Sequence, residues 1–249
     1  MCSSDLCIPE QQAVFGVRLK QLALDIGIRN QPRLDQVDSL ANPALTHFLH
    51  AWLSGVGSKE HDSTVPAIYV WGAAGSGKSH LLRALSRELD QRGLNAGWMD
   101  AQTELAPHWS ADWCAGLLDA VDDFSPVQQE AAFQWFIDAQ THQRPMIATG
   151  RCPPADLQLR DDLRSRIGWG EVFLMQPPQD ERRRLILRSH AKERGLELSP
   201  EVTDYLLTRF SRDLGHLVAL VDQMDRYAMQ QQRPITVPLI KSMMSELEG

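Results

Sequence analysis

The octapeptide GAAGSGKS, Gly72 to Ser79, constrains the fold of this chain more than any other stretch, because of what stands on either side of it. It follows AIYVW, Ala67 to Trp71, a short apolar run suited to a buried parallel strand, and it leads into a helix that starts near Ser79. A strand, a G-x-x-x-x-G-K-[ST] turn and a helix in that order make a phosphate loop. The glycines let backbone N–H groups close around a β-phosphate. Lys78 brings a point charge to the β and γ oxygens, and the Ser79 hydroxyl is placed to ligate Mg²⁺. The candidate nucleotide-binding residues are therefore Gly72, Ala73, Ala74, Gly75, Ser76, Gly77, Lys78, Ser79 and His80. Taken alone, His80 is an ordinary helix-surface or interface histidine, since no His/Asp/Glu cluster surrounds it in sequence.

A phosphate loop needs an acid for Mg²⁺ at the end of a neighbouring strand. CAGLLDAVDDF offers Asp119, Asp122 and Asp123. The uninterrupted apolar run ends at Leu118, so Asp119 is the strand-end acid; choosing Asp122 would bury Asp119 inside a strand at a desolvation cost of several kcal/mol. Asp122 and Asp123 are read as a solvated loop ahead of a helix that begins at Ser125-Pro126. The residue after Asp119 is Ala120, which cannot orient a water as an acid would. Ser79 and Asp119 are thus the candidate metal ligands.

Around this motif the chain alternates. Asn42-Pro43 predicts an N-cap with proline at the first helical position, followed by Ala44, Leu45, Phe48, Leu49 and Trp52 at helical spacing up to Gly55. Further apolar runs at Ala96 to Met99, Ala115 to Leu118, Met146 to Thr149 and Val172 to Leu174 bring the strand candidates to five, separated by helical stretches such as PVQQEAAFQWFIDAQ. Strands alternating with helices predict an α/β fold with a parallel five-stranded sheet flanked by helices. After Pro177-Pro178 the strands stop, and helices broken at Gly195, Ser199-Pro200, Ser211 and Pro234 to Pro238 predict a small all-α subdomain. The expected division is a tail over 1–29, an α/β nucleotide-binding subdomain over 30–176 and a helical subdomain over 177–249.

Composition narrows the function classes. A net charge of −7 over 249 residues provides no basic face for tracking DNA phosphates, so strong direct DNA binding is not expected. No apolar run approaches the roughly 20 residues that span a bilayer, and the N-terminus lacks the order of a signal peptide, so a cytoplasmic location is expected. Cys2, Cys7, Cys114 and Cys152 lack CxxC spacing and read as reduced thiols. No functional reading attaches to the opening MCSSDL. Met243-Met244 and the Trp109, Trp113 and Trp135 set read as packing, and no Ser/His/Asp constellation is assignable from spacing.

From Gln21 to Leu247 the chain resembles the AAA+ ATPases of the bacterial initiator DnaA, and among them the Hda family that inactivates DnaA. The resemblance rests on QLALDI, GAAGSGKS, a strand-end Asp without a second acid, ATGRCPPADLQLRDDLRSRIGWGEVF and FSRDLGHLVALVDQMDRYA; PPADL…DDLRSRIGWG is its most specific part. It implies an AAA+ domain with a helical lid, and a bound ADP or ATP with Mg²⁺. It implies that Arg166 in RSRIGWG is the arginine finger offered to a neighbour's γ-phosphate; from spacing alone Arg166 would be a surface helix arginine in ordinary ion pairs. Gln21, Leu22, Leu24 and Ile26 resemble the short motif that binds the sliding clamp, the β subunit of DNA polymerase III. The chain also departs from the family. Thr149-Gly150-Arg151 stands where a polar sensor follows the fourth strand, with Arg151 near the expected acid, and Gly215 stands where relatives carry the lid arginine. No DNA-binding domain is expected after the lid.

Two function classes follow. One is a nucleotide-bound regulator that docks on the sliding clamp and promotes hydrolysis by DnaA-ATP, with weak hydrolysis of its own and room for self-assembly. The other is an autonomous AAA+ ATPase of the DnaA/helicase-loader clade that acts on DNA or a replicative helicase. ATPase activity of the isolated chain, with and without single-stranded DNA, separates them.

Overall fold

Alternating side chains along β1 (Ile68–Trp71) sort themselves to two sides of a sheet, and the fold follows from that sorting. The protein is described by a computed structural model over residues 32–34, 37–56, 67–210 and 214–247. Ile68 and Val70 face the leucines of α2 (Lys78–Gln91) and the Leu45, Leu49, Trp52 and Leu53 face of α1 (Pro43–Gly55). Tyr69 faces Trp135 and Phe136 of α3 (Pro126–Thr141) and Leu163 and Ile167 of α4 (Asp161–Gly168). Burial of apolar side chains on both faces is what a wholly parallel sheet requires.

The remaining strands are β2 (Asn95–Met99), β3 (Trp113–Leu118), β4 (Met146–Gly150) and β5 (Glu171–Leu174), in the order β2-β3-β4-β1-β5, and every neighbouring pair is parallel. All five expected runs are strands. β3 begins ahead of its apolar run, at Trp113, whose ring lies 4.8 Å from that of Trp135 and 5.3 Å from that of Trp109. That aromatic contact covers a strand end which hydropathy alone places at Ala115.

Local signals explain several boundaries. Ser125 and Gln128 close a capping box at the start of α3, with Pro126 in the first turn. At α1, Pro43 does open the helix, but the Asn42 side chain makes no capping bond. It is spent elsewhere: Nδ2 donates to Asp38 O and Gln176 O, both at 3.2 Å, and Oδ1 accepts from the Gln176 N–H at 2.7 Å. Asn42 thus ties the entrance of α1 to the exit of β5. Gly170 fixes the corner between α4 and β5, since a Cβ there would overlap the Ala67 carbonyl.

Beyond β5 come α5 (Asp180–Glu193), α6 (Pro200–Arg209), α7 (Leu214–Gln231) and α8 (Val237–Leu247). They enclose their own core of Leu187, Val202, Leu206, Leu217, Val221 and Met243 among others. No helix among the described residues is long and apolar enough to cross a membrane.

Candidate functional site

The loop between β1 and α2 curls over the carboxyl ends of the strands, where open parallel sheets bind ligands. Gly75 at φ 73° and Gly77 at φ 100° supply left-handed turns that a side chain would strain. The first intrahelical bond of α2 runs from Leu81 N–H to Gly77 O at 2.8 Å, so the N–H groups ahead of it face out of the helix end toward the loop. The Lys78 ammonium donates to Gly72 O at 2.7 Å, Ala73 O at 2.8 Å and Ser76 Oγ at 3.2 Å, holding a positive charge inside the loop.

Sheet register sets the acid beneath it. Leu118 pairs with Ala148 and Val70 with Thr149, so Asp119 and Thr149 leave adjacent strands side by side. Asp119 Oδ1 accepts from Ser79 Oγ at 3.0 Å and from Thr149 Oγ1 at 2.7 Å. Thr149 Oγ1 in turn accepts from the Ala120 N–H at 2.9 Å. Asp119 is 5% exposed and Thr149 is fully buried, so these bonds satisfy groups that water does not reach. Ala120 sits in the left-handed region at φ 54°, an unusual backbone for a residue with a Cβ.

Asp122 is less solvated than its loop position suggests. Its side chain is 11% exposed; it accepts from the Arg151 N–H at 2.8 Å and faces Cys152 Sγ at 3.6 Å. Asp123 is exposed and pairs with the Arg151 guanidinium. The two acids therefore clasp the segment after β4, and Arg151 lies beside them rather than on Asp119. Burial, reinforced by the Asp122 carboxylate, raises the Cys152 thiol above its ordinary range. Burial also raises the Tyr69 phenol, whose O–H donates to Cys152 O at 2.8 Å.

A cavity of about 540 Å³ opens between these groups and the helices beyond β5. One wall is polar: Ala74 to His80, Asp119, Thr149 and Arg151. The other is largely apolar, with Val37 and Met175 joined by Ile186 of α5 and by Leu214 and Val218 of α7. Gly215 is on that wall; Ser211 to Asp213 lie outside the described residues. Of the residues singled out in sequence, the fold brings Ala74 to His80 and Asp119 together on the cavity, and Gly72 and Ala73 hold Lys78. Thr149 and Asn42 were not among the candidate site residues: Thr149 entered only within Thr149-Gly150-Arg151 and Asn42 only as a helix N-cap. The signal for Thr149 is a lone hydroxyl at the end of the otherwise apolar MIATG; Asn42 carries none that points to Gln176. Arg166 is on α4, outside the cavity wall, and Gln21, Leu22, Leu24 and Ile26 lie outside the described residues.

Strand order, phosphate loop and helical lid together define an AAA+ nucleotide-binding fold. Residues 180–244 match the family described as the Hda lid domain. Domain III of DnaA from Thermotoga maritima superposes with a TM-score of 0.69 at 18% identity, covering 87% of this chain and 96% of that one. DnaA bound to AMPPCP and single-stranded DNA gives 0.61 at 23% identity over 78% of this chain. AMPPCP-bound DnaA from Aquifex aeolicus gives 0.60 at 24% identity over 77%. This chain spans 64% of the length of each of the latter two. Residues 180–244 are thus similar to the Hda lid domain, and the chain has the fold of the DnaA AAA+ domain.

Proposed function

We propose that this chain is a nucleotide-bound AAA+ regulator that docks on the DNA polymerase sliding clamp and stimulates ATP hydrolysis by DnaA in trans, limiting re-initiation of chromosome replication. The observation that carries the reading is the hydrogen-bonded set of Ser79, Asp119 and Thr149 beneath the loop, with Ala120 as the next residue. It supports retention of a nucleotide without efficient turnover. The cavity volume falls within the roughly 300–1,000 Å³ usual for small-ligand sites. Its apolar wall suits a base and its loop suits phosphates. A hydroxyl and a carboxylate 3.0 Å apart are the hard oxygen donors that Mg²⁺ takes alongside phosphate and water. The ligand is ADP or ATP; when bound, it supplies the phosphate charge for Lys78 and the loop N–H groups, while Ala120 offers no carboxylate to a water.

Arg166 offers a guanidinium to the γ-phosphate of DnaA-bound ATP, and the tail over 1–29 carries QLALDI to the clamp. An apolar hexapeptide in a tail is an aggregation liability unless a groove covers it. Tethering on clamp-loaded DNA would also raise the local concentration of this chain near DnaA without any further contact.

The test is hydrolysis of DnaA-bound ATP with clamp loaded on DNA. Arg166→Ala should lower stimulation by up to about 10³-fold while keeping its fold, and Arg166→Lys should recover little of it. Gln21→Ala combined with Leu24→Ala should lose retention on immobilised clamp, leaving hydrolysis independent of clamp. Full stimulation by Arg166→Ala would refute the role in trans. Turnover by the isolated chain at about 1–100 s⁻¹ would instead mark an autonomous ATPase.

A further inference from the structure

Three arginines in and beside α4 meet different surroundings. Arg160 pairs with Asp162 at 2.7 Å and with Glu130, and Arg164 pairs with Asp161 at 2.7 Å. Arg166 forms no ion pair among the described residues. Its Nη1 donates to Gln140 Oε1 at 2.6 Å, and its Cζ lies 4.7 Å from the centroid of the Trp169 ring. Both partners are neutral, and they come from separate elements: Gln140 from the last turn of α3, and Trp169 from the residue that closes α4.

We infer that Gln140 and Trp169 are positioning residues that hold the Arg166 guanidinium in place while leaving its charge uncompensated for an anion on another subunit. The inference rests on the reading of Arg166 as the cation offered in trans. An amide oxygen occupies one of the five guanidinium N–H donors and leaves the others for phosphate oxygens. The indole face attracts the cation through its quadrupole without contributing a counter-charge. A carboxylate at either place would form the ion pair that Arg160 and Arg164 already have, and an incoming phosphate would first have to displace it. Trp169 is 68% exposed, so burial in the core does not account for its indole. The chain just after it is tied to the residue that precedes β1, with Glu171 N–H donating to Ala67 O at 2.9 Å and no room for a Cβ on Gly170.

The experiment is the clamp-dependent hydrolysis assay with DnaA-ATP, titrated with Gln140→Glu, Trp169→Ala, Trp169→Phe and Arg166→Ala, with folding of each variant checked by its thermal midpoint. Gln140→Glu replaces an amide by a carboxylate of nearly the same shape. It should lower the maximal stimulated rate at least about tenfold, a part of the 10³- to 10⁵-fold that arginine fingers supply. The half-saturating concentration should change less than about twofold. Trp169→Ala should act in the same direction and Trp169→Phe should restore most of the rate, because a phenyl face still attracts the cation. Adding Gln140→Glu to Arg166→Ala should cost nothing more, since the two act through one group. An unchanged maximal rate in Gln140→Glu, or a loss confined to the half-saturating concentration, would overturn the inference even if Trp169→Ala failed to fold. Full stimulation by Arg166→Ala would refute the finger reading itself, a separate outcome from the failure of the cradle.

Discussion

Thr149→Val probes the bond network under the phosphate loop at almost constant volume. The hydroxyl it removes has two partners, Asp119 Oδ1 at 2.7 Å and the Ala120 N–H at 2.9 Å. Asp119 keeps the Ser79 hydroxyl, so the carboxylate is weakened rather than orphaned. A hydrogen bond to a charged group contributes about 1.5–3 kcal/mol, and a buried N–H left without its acceptor costs about 1–3 kcal/mol. The same bond helps hold Ala120 at φ 54°, a conformation that itself costs about 1–3 kcal/mol outside glycine. These contributions overlap, and the expected destabilisation is about 2–4 kcal/mol. At roughly 2–4 °C per kcal/mol for a chain of this size, the thermal midpoint should fall by roughly 5–15 °C. Differential scanning calorimetry of wild type, Thr149→Val and Thr149→Ser reads it directly. The serine variant keeps the hydroxyl and loses a methyl group, so it should lose only about 1 kcal/mol. A valine variant melting within about 1 °C of wild type, or a serine variant no better than valine, would show that the hydroxyl does not hold this corner.

Lys78→Ala should abolish binding of Mg²⁺-nucleotide, because the charge held inside the loop by Gly72 O, Ala73 O and Ser76 Oγ is lost; isothermal titration checks it, and unchanged affinity would remove the loop from the binding reading. Cys152 should be alkylated by iodoacetamide at pH 7.5 more slowly than a free thiol. Burial and the Asp122 carboxylate raise its pKa, so less of the reactive thiolate exists at neutral pH and the rate climbs only as pH rises through the raised value. Asp122→Asn should speed the reaction at fixed pH, and mass spectrometry of the Cys152 peptide follows both; equal rates for the two proteins would mean that the carboxylate does not reach the thiol.

The parts of the site legible in sequence are those in which neighbours along the chain also meet in space. GAAGSGKS binds its own lysine, with bonds from Lys78 back to Gly72, Ala73 and Ser76. Asp119 could be chosen over Asp122 because the apolar run ends at Leu118, but Asp119 is itself buried, its desolvation offset by bonds from Ser79 and Thr149. The same reasoning fails for Asp122 itself. Turn composition predicts a solvated acid, yet the chain after β4 folds over it and offers it the Arg151 N–H and the Cys152 thiol. At Asn42 the helix-start rules place the boundary correctly, with Pro43 opening α1, but they miss the partners of the Asn42 side chain. Its side chain suits a cap in chemistry, but Asp38 and Gln176 compete for the same polar atoms, and the distant partner wins.

What stays hidden is decided by strand order. Asp119 and Thr149 are 30 positions apart and adjacent only because β4 lies between β1 and β3; Asn42 and Gln176 are separated by 134. A periodicity argument finds the strands but not their neighbours, so it finds the acid and misses the hydroxyl that holds it. By type and spacing, Arg160, Arg164 and Arg166 are equivalent surface cations, and DDLRSRIG places acids within reach of them all. Packing separates them. Arg160 and Arg164 turn to Asp162, Glu130 and Asp161, while Arg166 meets a glutamine from α3, 26 positions away, and an indole. A guanidinium between two neutral groups retains more of its attraction for a phosphate than one already paired, because no carboxylate must first be displaced. For the proposed role of Arg166 in trans, what matters is which side chains packing leaves beside it, and the motif alone does not carry that information.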